Sequence, residues 1–217
     1  DYPVLPQDTA DYDEIALNVL AGEGFVSRTN WFGYEMRSWR PPLYPLFLAM
    51  VYGVWGYSHL AVKVVQALIG AGTVILAWAL ARALRREDAL LAGGRALVYG
   101  PLVTISAEVM SETLFCFFIA LAAWLLIVAE GRRNYLLLAG VTVGLAALTR
   151  PVGLLWVPAF ALVAVWRLRG EGVRRGLWVG GALLVVVLPW SARNGQVHGA
   201  WVPISTHGGF ILARSNA

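Results

Sequence analysis

"LAVKVVQALIGAGTVILAWALAR" (60–82) carries only Lys63 and Arg82 as charges, and "RALRRED" (82–88) follows at once. A helix of about 20 apolar residues is long enough to cross the roughly 30 Å hydrocarbon core of a bilayer. A helix apolar on all sides has no face for water. The stretch therefore reads as a membrane span closed by a basic loop. Five more apolar segments repeat the pattern, at 89–108, 112–129, 134–149, 151–166 and 176–190. The composition agrees. Hydrophobic residues make up 59% of the chain and charged residues 14%, against about 25% charged in soluble domains. The mean hydropathy is +0.64. The fold class is an all-α, polytopic membrane helix bundle.

The basic loops set the orientation. "RALRRED" (82–88), "EGRRN" (130–134) and "RLRGEGVRRG" (167–176) fall at every second connection. The positive-inside rule places them in the cytoplasm. The connections near Met110 and Ser111, at Thr149–Pro151 and after Trp190 then face outward. The net charge of +4 resides in these clusters, a membrane pattern and not a nucleic-acid footprint. Trp166, Trp178 and Trp190 end spans, as interfacial anchors do. "GVTVG" (140–144) and "GLWVG" (176–180) both have the small-xxx-small spacing of close helix packing. Cys116 is the lone cysteine and forms no internal disulfide.

"PPLYPLFLAMVYGVWG" (41–56) is short for a span and opens on Pro41, Pro42 and Pro45. It reads as a helix at the outer membrane surface. Ahead of it, Tyr12, Ile15, Ala16, Val19 and Leu20 follow a helical period, and Gly22 and Gly24 stop the helix. That helix is amphipathic and is expected to lie on the membrane. Residues 1–59 are thus one outward-facing unit, 60–190 a bundle of about six spans, and 191–217 the start of a further external loop.

The outward side gathers polar residues. Asp8, Asp11, Asp13 and Glu14 crowd the amphipathic helix. An acid there can cap the helix or favour its positive end. In an outward cavity Asp8 could instead act as a general base. Asp11, three positions on, could share its face, while Asp13 and Glu14 are expected to be solvated. Arg40 precedes two prolines that fix the backbone. It either anchors a surface helix to headgroups or clamps a phosphate. Glu112 opens a span at the outer end, where ionisable groups point to function. Arg150 and Arg193 sit on the side that the positive-inside rule disfavours, and Lys63 is near the outer end of its span. These cations suit an anionic substrate or internal ion pairs. Arg95 lies nearer the inner side and can snorkel. His59, His198 and His207 match no metal-ligand spacing.

Several stretches together resemble bacterial family 39 glycosyltransferases, GT-C fold enzymes related to protein O-mannosyltransferases and the aminoarabinose transferase of lipid A. They are "DTADYDEIALNVLAGEGF" (8–25), "RPPLYPLFLA" (40–49), "SETLF" (111–115), "GLAALTRP" (144–151), "LPWSARN" (188–194) and "ISTHGGF" (204–210). The resemblance covers nearly the whole chain and implies sequence before Asp1 and after Ala217. It implies a GT-C-like bundle with outward juxtamembrane helices. The enzyme would move a sugar from a polyprenyl-phosphate donor to an acceptor of unknown identity, with inversion. It would sit in the bacterial inner membrane with the site facing the periplasm or exterior. Asp8 then matches the catalytic base and Arg40 the residue on the donor phosphate. Asp11, Tyr12, Lys63, Glu112, Arg150 and Arg193 are the expected substrate-binding residues. The resemblance fixes no cofactor and leaves a divalent metal open. Some relatives hold a divalent metal with an acid before the basic-Pro-Pro motif, and Trp39 stands at that position here. A non-catalytic subunit of the same fold, packed in a larger membrane complex, is the competing expectation. A transporter would need broken mid-span helices with buried charges, for which Arg95 is the one candidate.

Overall fold

A computed structural model describes residues 7–28, 33–84, 87–167 and 172–208. All of the regular elements among them are helical. α1 (Gln7–Leu20) and α2 (Leu43–Trp55) come first, followed by α3 (His59–Ala83), α4 (Ala89–Leu97) and α5 (Gly100–Ala107). α6 (Glu112–Val128) and α7 (Arg133–Thr149) lead to a 3₁₀ turn (Pro151–Leu155), α8 (Trp156–Arg167) and α9 (Gly172–His198). An antiparallel bridge joins Ser27 to Met36 between α1 and α2.

α3 and α9 are long and apolar enough to cross a membrane, and α4 with α5 adds a third if the bent pair is one span. The shorter apolar helices include α2, α6 and α7. Leu60, Val64, Leu68 and Ile75 on α3 are exposed, as are Leu177, Leu184 and Val185 on α9. In water such stripes would be a liability; against acyl chains they cost nothing.

Two cores hold the chain together. One joins α6, α7 and α9 through Leu126, Leu136, Val143, Leu183 and Val187, and Phe160 of α8 closes it. The other joins α1 and α2 to the start of α3 through Tyr12, Ala16, Tyr44, Leu48 and Val62. Gly140 lets α7 and α9 approach. A Cβ there would stand 2.2 Å from the carbonyl oxygen of Val179.

The structure corrects several expectations. The apolar face of α1 packs on α2, with Tyr12, Ile15 and Ala16 buried. Protein covers these three side chains, while Leu20 of the same face is 48% exposed. The segment 89–108 is not one straight helix: α4 and α5 meet at a 47° bend. Pro101 supplies the cause, because it fits the first turn of a new helix and restricts the residue before it. The segment 151–166 opens on a 3₁₀ turn. α9 runs to His198, so Arg193 and Asn194 lie on the helix and not beyond it. "GLWVG" makes no close approach, since nothing lies within 4 Å of an added Cβ at Gly176 or Gly180. The side chain of Trp166 and the end of "ISTHGGF", from residue 209, lie outside the described residues.

Candidate active site

Asp8, Asp11 and Tyr12 share one face of α1 because they stand three and four residues apart. Arg40 reaches them from the segment just before α2. Its Nη2 donates to Asp8 Oδ1 at 2.5 Å and to Asp11 Oδ2 at 2.7 Å, and its Nε donates to Asp11 Oδ2 at 3.0 Å. Trp39 Nε1 adds a further donor to Asp11 Oδ2 at 3.1 Å. Arg40 is only 5% exposed, and its guanidinium carbon lies 5.2 Å from the centroid of the Tyr12 ring. Burial works against its charge, but Tyr12, Asp8 and Asp11 outweigh burial and its pKa is raised. The guanidinium therefore stays charged between two carboxylates.

The two carboxylates have separate roles. Asp11 is buried and takes three N–H bonds, so its acceptor capacity serves to hold Arg40 and Trp39. The side chain of Asp8 is 46% exposed and makes one contact to Arg40. A substrate can reach Asp8 and cannot easily reach Asp11.

Tyr12 connects this cluster to a second one. Its hydroxyl donates to Ser111 Oγ at 3.3 Å, and burial raises its pKa, which keeps it a phenol. Ser111 Oγ also accepts from Arg150 Nη1 at 3.2 Å. Arg150 in turn pairs with Glu112. Thr9 Oγ1 donates to the Val109 carbonyl at 3.2 Å, docking α1 on the turn before α6. Arg150 is aimed here because α7 ends at Thr149 and Arg150 is extended ahead of Pro151. Asp8, Asp11, Tyr12, Arg40, Glu112 and Arg150 thus form one connected polar surface. Asp8 accounts for its exposed carboxylate, and Arg40 and Arg150 for its cations.

Two expected site residues go elsewhere. Arg193 donates to the carbonyls of Arg37 (2.6 Å) and Phe25 (3.3 Å) and to Ser38 Oγ (2.8 Å). It pins the segment that leads into Arg40 and reaches no group of the Asp8 cluster. Lys63 is exposed on the far side of α3, where it lines an apolar groove with α4 and α5. Asp13 and Glu14 are not solvated as expected. Asp13 is 4% exposed and accepts from Tyr52 (2.5 Å) and Tyr57 (3.1 Å), with His59 Nε2 at 2.6 Å. It ties α1 to the end of α2 and the start of α3. Glu14 accepts from Ser27 Oγ and the Arg28 backbone N–H.

Ser111 and Asn194 are contributors to which no role was assigned from the sequence, and Trp39 stood there only as the residue in place of an acid. Asn194 is fully buried, accepts from Ser38 Oγ at 2.8 Å and donates to the Ile204 carbonyl at 3.0 Å. The motifs "SETLF" and "LPWSARN" contain Ser111 and Asn194, and motif membership was the only signal.

Both carboxylates face a guanidinium, and the indole of Trp39 offers a donor, not a lone pair. Among the described residues no group of three His, Cys, Asp or Glu could hold a metal ion.

Residues 39–192 match the family model described as dolichyl-phosphate-mannose-protein mannosyltransferase. No curated protein and no solved structure matches the chain. The matched span begins at Trp39 and includes Arg40, Ser111, Glu112 and Arg150; α1, with Asp8 and Asp11, lies before it.

Proposed function

The chain belongs to the dolichyl-phosphate-mannose-protein mannosyltransferase family and is a membrane glycosyltransferase, and we propose that it takes its sugar from a polyprenyl-phosphate donor with Asp8 as base and Arg40 on the donor phosphate. The observation that carries this reading is a buried Arg40 shared between a half-exposed Asp8 and a buried Asp11.

The chemistry needs a base on one face of the anomeric carbon and a stabilised leaving group on the other. The acceptor hydroxyl gives its proton to Asp8 while its oxygen bonds the anomeric carbon. The bond from that carbon to the phosphate oxygen breaks, and the electron pair leaves with the polyprenyl phosphate. Attack opposite the leaving group inverts the anomeric centre. Arg40 neutralises the phosphate as it departs. Asp8 and Arg40 are in contact here, so the sugar must part them on binding. Asp11 and Trp39 then keep Arg40 in place when Asp8 is drawn to the acceptor. Arg150, beside Ser111 and Tyr12, supplies a second cation to the same surface. The site faces the periplasm or exterior of a bacterial inner membrane.

Asp8→Asn keeps the shape and removes the base. Transfer is expected to fall by at least about 100-fold, the usual weight of a general base, with an unchanged melting temperature. The measurement is turnover of a panel of polyprenyl-phosphate sugars by the purified full-length protein. Wild-type turnover in Asp8→Asn would exclude Asp8 as the base.

A further inference from the structure

The reaction above leaves unused a histidine that the chain brings to the Arg40 cluster. Segment 202–206 returns along the end of α9 and is held there residue by residue. Trp190 Nε1 and Asn194 Nδ2 donate to the Ile204 carbonyl at 2.8 and 3.0 Å. Ser191 Oγ donates to the Pro203 carbonyl at 2.6 Å, and Asn194 Nδ2 to that of Val202 at 3.2 Å. The Thr206 N–H donates to the Ser38 carbonyl at 2.9 Å. His207 follows directly and is set against Trp39, with ring centroids 4.4 Å apart and planes at 89°. Trp39 adjoins Arg40 in the chain, and its Nε1 donates to Asp11 at 3.1 Å.

We propose that His207 is a further donor-binding residue, whose Nε2–H bonds the phosphate of the lipid-linked sugar beside Arg40. The inference rests on the reading of Arg40 as the phosphate contact. The two ring nitrogens differ. Nδ1 is enclosed and has no hydrogen-bond partner. A proton there would be a buried donor without an acceptor, and a bare lone pair costs less. The proton of the neutral ring therefore sits on Nε2, which donates to none of the described residues. Burial, and then the Arg40 guanidinium, push the pKa of His207 below the ordinary histidine value, against the opposing pull of Asp8 and Asp11. A neutral ring stands beside Arg40 without repulsion and still offers an N–H. The matching ligand atom accepts hydrogen bonds and carries the charge that Arg40 attracts, as a phosphate oxygen does. A hydroxyl would bring a hydrogen of its own, and the one lone pair of His207 is shut away. As the anomeric bond breaks, the phosphate oxygens gain negative charge, so both contacts strengthen towards the transition state. The hydrogen bonds on 202–206 place the ring before the donor arrives, which limits the ordering cost of binding. Trp190, Ser191 and Asn194 thereby act on the site through His207.

The test is native mass spectrometry of the full-length protein, titrated with undecaprenyl phosphate and separately with undecaprenol, which has the same tail and no phosphate. Wild type is expected to prefer the phosphate. His207→Phe keeps a ring against Trp39 and removes the N–H. It is expected to weaken undecaprenyl phosphate about tenfold, the scale of one lost hydrogen bond to a charged group, with undecaprenol binding and melting temperature unchanged. His207→Gln restores an N–H near the place of Nε2 without the ring, and should recover most of that affinity. Wild-type phosphate binding in His207→Phe overturns the assignment. A loss confined to His207→Gln also overturns it, because the ring would then serve only to support Trp39. Equal binding of the two lipids by wild type would remove the phosphate site itself and the donor reading with it. A phosphate preference that weakens in Arg40→Lys but not in His207→Phe would remove His207 alone, so the two failures are distinguishable.

Discussion

A guanidinium ahead of two prolines can serve a membrane surface or a phosphate, and either ligand must displace a carboxylate to reach Arg40, which is 5% exposed and faces two of them. That burial also changes how its role must be tested. Arg40→Ala would strand Asp11 in the interior with the Trp39 indole N–H as its remaining donor among the described residues. Breaking a buried pair from one side costs about 3–5 kcal/mol, so a loss of activity would not separate binding from folding. Arg40→Lys retains the charge but replaces the planar Nε–Nη2 fork on Asp11 with a single nitrogen. We expect Arg40→Lys to fold and to raise the KM for the donor about tenfold, read from donor titrations at fixed acceptor. Wild-type donor kinetics in Arg40→Lys would leave Arg40 a purely structural residue. The pairing of Asp8 with Asp11 was legible as a three-residue spacing on one helix. The role of Asp13 was not, because its partners Tyr52, Tyr57 and His59 lie 39, 44 and 46 residues away. A local pattern of acids looks the same whether water or three distant side chains satisfy them.

At the scale of elements, identical spacings can have different consequences. "GVTVG" and "GLWVG" read alike in sequence, and only the packing separates them. An added Cβ at Gly140 meets Val179 O at 2.2 Å and Ala182 Cβ at 2.8 Å, and one at Gly144 meets Val186 Cβ at 2.8 Å. At Gly180 it meets nothing within 4 Å. Gly140→Ala must therefore push α7 from α9, and the expected cost is about 1–3 kcal/mol, as for other overpacked sites. Gly180→Ala should be neutral or slightly stabilising, since alanine is the better helix former. Thermal melting of the two variants in nanodiscs checks this; a larger loss in Gly180→Ala would contradict the packing of α7 on α9. Most helices were legible from apolar length. The bend between α4 and α5 was also written in the chain, as Gly100–Pro101, but a count of apolar residues passes over it. The closure of α1 by α2 was hidden for another reason. An amphipathic face specifies that something apolar covers it, and lipid and protein satisfy that requirement equally.

Across the whole molecule the polar groups separate into two ends. Val109, Ser111, Arg150 and Asn194 meet α1 or the segment before α2 at one end. At the other end the basic connections approach each other, with Gly131 against the Arg175 guanidinium and Arg133 stacked 3.9 Å from the Trp178 ring centroid. A bilayer resolves this asymmetry in one direction if the arginine-rich end is cytoplasmic. The acid-bearing end then meets its lipid-linked donor outside, and the cations there are not violations of the rule. Arg150 is neutralised by Glu112, Arg193 is absorbed by backbone carbonyls, and Arg40 is enclosed by two aspartates. Ion pairing offsets the charges of Arg40 and Arg150, while neutral acceptors solvate that of Arg193. This orientation can be tested in a Cys116→Ser background, which removes the one thiol of residues 1–217. Glu23→Cys, beyond the end of α1, should react with a membrane-impermeant maleimide on intact cells. Glu87→Cys, in the first basic loop, should react only after permeabilisation. The opposite labelling would place Asp8 in the cytoplasm, where a donor whose sugar is displayed on the outer leaflet could not reach it.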